Sequence, residues 1–573
     1  MTSKISCFSG SIVRYNVKRF WWIAAVSALI LFLSCPFSIL MNRNITDTLY
    51  YLKDVGLVLR HDMISYLMTG FVPVLTAVCV FRYLQGPKSA TLFHALPLRR
   101  STLYFSSVLS GWLLFAAPVA LNGLVLLVMS LVKYSAVFTV TNVLQWAGIQ
   151  LLFGTALYAM TVLIGMFTGS SVAQYLFTYI LTFLPAGLIY LIYYLLDGWL
   201  FGFDSASLSN LLDMVFRFTP FYYFTLFSRY DQLAWWQIVL NLGYIIGFLA
   251  ISLPLYKRRG IEHGGDVIAF KWVRPLFLYG VTLCVMLAGS CLIKGIMDTA
   301  VPNLFVCLFW AILGYAAAKI LLLKSFRIWK YYKGIAVFCG LVAIFFVTIH
   351  FNLLGFATGT PKTDEVVKAY AGYFQAAGWE DTPTAYGTTQ YAVFEEPDNI
   401  EKVILANQRA IESNQRLGRN DETNRISFAY ITRTGKTIMR TYTTNEDYLP
   451  SLLSTDEAKD YMFPNIRKYP ERVSSVEFLN NRDGQHVMLI NAEKDGFLET
   501  LNEDISQLDY EELTSPRTKD RLYQANLSLR PAEMNDAARA NVYFTFNDSF
   551  TTTLRWLEDH GYAMTPDGIQ RIE

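Results

Sequence analysis

Apolar and polar positions divide this chain into two parts. Through residue 356 or so, long greasy runs alternate with short basic loops, and beyond that point the pattern becomes that of a water-soluble domain. A helix needs about 20 mostly apolar residues to cross the hydrocarbon core. Nine runs reach that length, near Phe20–Met41, Met63–Tyr83, Tyr104–Val132, Val143–Phe167, Val172–Leu196, Trp235–Tyr256, Leu276–Lys294, Leu304–Leu323 and Ile335–Leu354. A basic, polar lead of about nineteen residues precedes the first run, with no small-residue cleavage site, so that run reads as a retained anchor. Within Ser3–Arg19, Ile5, Phe8, Ile12, Val13 and Tyr15 are interleaved with Lys4, Arg14 and Lys18. This pattern fits an amphipathic helix on the inner membrane surface or a basic tail.

From 357 the periodicities shorten. Thr358-Gly359-Thr360-Pro361 reads as a linker. Thr363 is placed to cap a helix carrying Val366, Tyr370 and Phe374 on one face, and Asn399–Gln415 has a second helical pattern. Ile426–Tyr430 and Ile438–Tyr442 around Thr434-Gly435-Lys436 predict a hairpin. Val473–Phe478, His486–Asn491 and Val542–Phe546 predict strands, and Phe497–Leu508 and Asp548–Gly561 predict helices. The 217 residues of this part suffice for an α+β domain with its own core.

Charge separates the same two parts. Residues 357–573 hold 23 Lys/Arg and 35 Asp/Glu, net −12, which leaves 25 and 10, net +15, for 1–356. A basic apolar half suits a bilayer with anionic lipid on its cytoplasmic face, and an acidic soluble half repels nucleic acid. One set of connecting segments (the N-terminus, Arg82–Leu103, Lys257–Arg274 and Lys324–Lys333) carries seventeen basic residues, against seven in the other set. Lys and Arg are retained in the cytoplasm, so the N-terminus is expected inside and, after nine spans, the soluble domain outside.

Candidate chemistry is sparse. All seven cysteines lie in the membrane half, with no CxxC or Cys/His cluster, which argues against disulfides and structural zinc. Gly435-Lys436-Thr437 echoes a phosphate loop, but Tyr430 stands where that motif needs its first glycine, and the segment reads as a turn. No metalloprotease, serine-hydrolase or dinucleotide motif occurs, so no catalytic residue, metal or cofactor is assigned to this chain. No Asp or Glu lies mid-span. Lys319 is placed to snorkel to the cytoplasmic face, and His350 lies near the outer end of the last span, where a structural role is the plain reading.

Two basic segments are informative. In Gly86–Arg100, Pro87 and Pro97 bracket nine residues, with Ser89 placed to cap a short helix and Phe93 and Leu96 able to share a face. The spacing suits a helix that docks into a groove on a partner, or an ordinary loop with positive-inside charge. Lys257–Asp266 suits a basic anchor followed by a turn, or a contact surface.

Phe93-His94-Ala95-Leu96-Pro97-Leu98-Arg99-Arg100 resembles the segment between spans two and three of ABC-2 type exporter permeases of Gram-positive bacteria. Lys257–Pro275 is similar to the link after the six-span core in a subgroup of them. The helix start at Asn399-Ile400 and the Tyr430–Tyr442 hairpin resemble that subgroup's C-terminal domain of uncharacterised function. The resemblance implies a polytopic α-helical membrane protein: a surface helix (1–19), a six-span permease core (20–256), a cytoplasmic link (257–275), three further spans (276–356) and an extracytoplasmic α+β domain (357–573). It makes Leu92–Leu98 the coupling helix, with Leu92, Phe93, His94, Leu96, Pro97, Arg99 and Arg100 as the docking residues for separate ATP-binding subunits. Asp197–Trp235 would be an outer re-entrant segment. ATP and magnesium would bind the partner subunits, a second permease would complete the pore, and the site of action would be the plasma membrane. The competing reading is a membrane sensor or scaffold whose outer domain binds a peptide or cell-envelope ligand. The span count makes a direct prediction: protease added to intact cells digests the tail beyond 357, while an N-terminal tag stays protected. Tags reporting both ends on one side would contradict it.

Overall fold

A computed structural model describes residues 8–41, 63–135, 138–200, 202–203, 208–220, 233–260, 268, 270–297, 304–353, 355–356, 358–372, 391–416, 424–444, 448–479, 486–514, 522–529, 541–565 and 568–572. Nine helical segments among these residues are long and apolar enough to cross a membrane. They comprise α1 (Gly10–Ser34) with its continuation α2 (Pro36–Met41), α3 (Met63–Phe81) with a 3-10 turn (Arg82–Gln85), and, beyond the short α4 (Pro87–His94), α5 (Arg100–Val132), α6 (Val140–Phe167) and α7 (Ser171–Trp199). After α8 (Leu208–Arg217) come α9 (Trp235–Arg258), α10 (Val273–Met297), α11 (Leu304–Leu323) and α12 (Tyr332–His350).

The chain forms two compact units: residues 1–192, 210–292 and 303–341, and residues 193–209, 293–302 and 342–573. In the first unit α5 packs along α1, α3 and α6, and α9 lies along α6. Two of the closest approaches are seated on glycine: Gly111 of α5 meets the Tyr158 ring of α6, and Gly154 of α6 meets the Phe115 ring of α5. A Cβ at either position would collide with the ring, so the small residue sets the helix spacing, as it does where helices associate without a hydrophobic drive between them. Side chains add polar ties: Asn16 Nδ2 donates to Ser110 Oγ at 2.9 Å, Trp112 Nε1 to Thr155 Oγ1 at 2.9 Å, and Thr69 Oγ1 to Gln150 Oε1 at 3.1 Å. Outward faces are apolar: Leu121, Leu124, Val128 and Leu131 of α5 are exposed, and α12 has no buried residue. Such surface is a liability in water and ordinary against lipid tails.

The expected surface helix is not a separate element. From Gly10 the helix runs unbroken into the first span, because no proline or further glycine interrupts it before Cys35. Residues 1–7 lie outside the described residues, as do Arg43, Lys53 and Arg60, Glu262–Asp266, and much of Asp197–Trp235, in which α8 is the described helix.

The second unit contains two four-stranded antiparallel sheets of like connectivity. In the first, β1 (Val366–Gly372) and β2 (Tyr391–Phe394) precede α13 (Pro397–Arg416), which is followed by β3 (Asn424–Thr432) and β4 (Thr437–Thr444), in the order β2-β1-β3-β4. Three short helices follow: α14 (Leu449–Leu453), α15 (Asp456–Met462) and α16 (Pro464–Arg467). The plan then repeats as β5 (Val473–Leu479), β6 (His486–Leu489), α17 (Asn491–Gln507), α18 (Tyr510–Thr514), β7 (Leu522–Leu529) and β8 (Asn541–Asn547), in the order β6-β5-β7-β8. Finally, α19 (Thr551–Asp559) leads into the hairpin β9 (Tyr562–Thr565) and β10 (Gly568–Arg571). One apolar core, including Phe394, Phe428, Phe497 and Phe546, serves both sheets.

The hairpin at 426–442 forms as expected, with Gly435 in the left-handed region (φ 75°) and Thr432 N donating to Lys436 O at 3.0 Å. The expected helix from Thr363 does not form. After a 3-10 turn (Thr363–Glu365), Val366–Gly372 is a central strand that pairs Tyr370 with Val393 on one side and Ala429 on the other. Val366 and Tyr370 are spaced to suit either structure, and burial between two strands decides for the sheet. The expected face also included Phe374, which lies outside the described residues.

A single carboxylate joins the last two helical layers of this unit. No side chain of α19 or its preceding residue caps its start; instead Asp504 of α17, buried, accepts from Thr552 N at 3.1 Å, Thr553 N at 2.7 Å and Thr553 Oγ1 at 2.7 Å. Replacing a cap costs about 1 kcal/mol, and leaving buried donors unsatisfied about 1–3. Asp504→Ala in the full chain is therefore expected to lower stability by about 2 kcal/mol in denaturant titrations, with exposed Glu503→Ala near neutral.

Candidate functional site

At the basic end of the first unit's helices the chain makes two sharp reversals within twenty residues. Gly86, extended at φ −118° and ψ 130°, precedes Pro87 at the first position of α4. Proline is suited there because its missing N–H would have no partner in a helix's first turn. Ser89 is not the cap. It sits inside α4, and its hydroxyl donates to Tyr83 O at 2.9 Å and Gly86 O at 3.0 Å, tying the helix to the 3-10 turn at the end of α3. The helix stops at His94, and 95–98 is a turn, because Pro97 disfavours helical geometry at Leu96. The helix expected over Leu92–Leu98 thus lies nearer the N-terminus, at Pro87–His94.

The expected pairing of Phe93 and Leu96 on one outer face does not occur. Phe93 is half-buried, its ring stacked on Tyr83 at 4.6 Å and edge-on to Tyr15 at 6.1 Å. His94 also turns inward, 5.8 Å from the Tyr256 ring and 6.4 Å from the Tyr83 ring. Burial, followed by the positive charges of Arg100 and Arg259, pushes the imidazole pKa below its usual range. The outward positions are Leu92, 68% exposed, with Leu96, Pro97, Arg99 and Arg100. Of these, Arg100 donates to Lys257 O at 2.7 Å and so reaches the end of α9.

Behind α4 the tyrosines join three long helices. Tyr83, at the end of α3, hydrogen-bonds Tyr256 of α9 through their hydroxyls at 3.0 Å. Tyr104 of α5 bonds Ser252 of α9 in a very short contact and donates to Leu249 O at 3.2 Å. Phe93 and His94 thus touch the end of α3 and α9, and Tyr104 ties α5 to α9.

Arg259 holds this cluster from below. It directly follows α9 and is only 6% exposed. Its guanidinium donates to four backbone carbonyls: Gly165 in a very short contact, Met166 at 3.3 Å, Thr168 at 2.7 Å and Leu84 at 3.2 Å. Three of these belong to the last turn of α6 and its cap, where a helix leaves its carbonyls without intrahelical donors and its dipole is negative. Among the described residues Arg259 has no ion pair with a carboxylate, and its bonds run to peptide oxygens. Burial lowers its pKa to about 10, opposed by the nearby phenols of Tyr83 and Tyr256, and it remains charged at neutral pH.

Sequence reading passed over Arg259 because Lys257-Arg258-Arg259 looks like ordinary loop charge. The available signal was periodicity: Ser252, Tyr256 and Arg259 continue one helical stripe, and all three are buried. An acceptor left buried without a donor costs about 1–3 kcal/mol. Arg259→Leu is expected to lower the stability of the purified chain by at least about 2 kcal/mol, read by thermal unfolding in detergent, and Arg259→Lys to recover only part of it. Arg258→Leu, lacking such a cradle, should stay within about 0.5 kcal/mol.

No protein-family model, curated protein or solved structure matches this chain.

Proposed function

We propose that this chain is the membrane-spanning permease subunit of an ATP-binding cassette transporter working as an exporter, with ATP hydrolysed on separate subunits. The observation that carries the reading is the two-sided segment of α4 and the turn after it: Leu92, Leu96 and Arg99 are exposed, while Phe93 and His94 are held in the tyrosine cluster of the long helices. In this reading the basic ends of the spans are cytoplasmic, spans one to six form the core that pairs with a second permease, and the domain beyond 357 is extracytoplasmic.

The ATPase would grip the outer side of α4, an apolar knob flanked by guanidinium groups. Closing of the ATPase pair on ATP would displace α4. The Phe93–Tyr83 stack would carry that displacement to α3, and the His94–Tyr256 contact and the Arg100–Lys257 bond would carry it to α9. Tyr104 and Ser252 would bring α5 along, so that the spans rock as a group. A drive of this kind needs no proton relay within the membrane. In keeping with it, the sequence has no Asp or Glu anywhere from 63 to 196.

Pull-down with a co-expressed ATP-binding cassette subunit, sought first among the genes beside this one, tests the reading. Wild type should retain the ATPase, and Leu92→Asp with Arg99→Glu should reduce retention roughly tenfold. Phe93→Ala should keep the ATPase bound while lowering substrate-stimulated ATP hydrolysis, because it cuts transmission behind an intact outer face. Retention by the double variant would discard this docking surface. Failure of wild type to retain any such subunit would discard the transporter reading in favour of the sensor or scaffold.

A further inference from the structure

A second feature of the first unit lies beside α4 and is not used by the docking face. A cavity of about 600 Å³ opens between α1, the end of α3, α4 and the start of α7. Arg19 and Arg82 line it, with the hydroxyls of Ser89, Ser170 and Ser171. Phe20 and Phe93 supply apolar wall. Among the described residues no carboxylate lines it, and the sequence has none in residues 1–46 or 63–196, which supply the whole of its wall. Ser170 and Ser171 also mark the start of the 29-residue α7, whose dipole adds positive potential from the same side.

We propose that this cavity binds the phosphate of an anionic phospholipid headgroup. Its size lies within the range of sites that enclose small molecules, and its donors (the guanidinium groups of Arg19 and Arg82 with the hydroxyls of Ser170 and Ser171) match phosphate oxygens. The lipid, rather than a soluble phosphate, is indicated by what flanks Arg19. Trp21 and Trp22 follow it in α1, both exposed, at 62% and 48%. Exposed tryptophans next to the basic end of an apolar helix lie at headgroup level, where the indole is half in hydrocarbon and half in water. The apolar wall suits the glycerol end of the lipid as the polar wall suits its phosphate. Since Ser89 and Phe93 of α4 line the cavity, a bound headgroup would brace that helix against α1 and α7.

Lipid retention by the full chain decides the matter. The protein is placed in nanodiscs of phosphatidylcholine and phosphatidylglycerol, transferred to detergent, washed, and its retained lipid counted by mass spectrometry. Wild type should keep phosphatidylglycerol in preference to phosphatidylcholine, and Arg19→Gln with Arg82→Gln should keep roughly tenfold less. Arg14→Gln with Lys18→Gln, on the same helix but outside the cavity, should keep as much as wild type. Arg19→Lys with Arg82→Lys should restore most of the retention at an unchanged thermal midpoint. Equal loss in the Arg14/Lys18 variant would mean diffuse surface attraction and overturn the site. Displacement of the lipid by millimolar inorganic phosphate would reassign the cavity to a soluble anion and overturn the headgroup. Loss in the lysine variant together with a lowered thermal midpoint would make the arginines structural and overturn it as well.

Discussion

Peptide carbonyls buried at the ends of helices have neither an intrahelical donor nor water to turn to, and that constraint must be met by a side chain. Arg259 meets it for the inner architecture of this chain. One guanidinium serves carbonyls at the end of α6 and at the end of α3, and it comes from the end of α9. Three long helices thereby end at one fixed point. A carboxylate would have neutralised the charge, but it would also have competed with the carbonyls for its donors. The arrangement keeps the fork's directional bonds for the backbone, at the cost of desolvating a cation whose charge is matched only by dipoles.

What rests on that point is the short helix α4 and the aromatic layer beneath it. Phe93, His94, Tyr83, Tyr104 and Tyr256 pack ring to ring, and their hydroxyls bond between helices rather than to solvent. An aromatic layer is rigid because each side chain has few rotatable bonds, so it transmits a push better than flexible aliphatics would. The same layer explains why the outward face of α4 is modest: the aromatic residue that could have been its knob is used on the inner side. Leu92, Leu96, Pro97 and Arg99 remain exposed, and the cavity at Arg19 and Arg82 opens beside them.

The second unit uses one plan twice. Each half is an antiparallel strand pair, a helical segment and a second pair, with the first strand of each pair side by side at the sheet centre, and the two sheets share one core. Among its buried polar ties, Asn407 donates to the hydroxyl of Tyr430 at 2.9 Å, and Asp504 caps a helix whose preceding residue does not. Within this unit Thr441 N also donates to Gly202 O at 3.3 Å, and Arg440 lies 3.8 Å from the centre of the Phe356 ring. Burial lowers the pKa of that arginine and raises those of Tyr430 and Tyr442 beside it.

By itself the sequence determined the division into an apolar helical half and an α+β half, the nine long helices, and the 426–442 hairpin. Each of these follows from periodicity and length, properties local enough to be read along a line. Tertiary structure alone decided the rest. Val366–Gly372 became a strand because it lies between two others, although its spacing suited a helix. Phe93 turned inward because Tyr83 was there to stack on. The surface helix merged with the first span because nothing broke it. Arg259, one of three adjacent cations, became the buried one because it continued the Ser252–Tyr256 stripe into carbonyls contributed by residues 84 and 165–168. Those partners lie about 90 to 175 residues away in sequence, and only folding brings their dipoles within reach of one side chain.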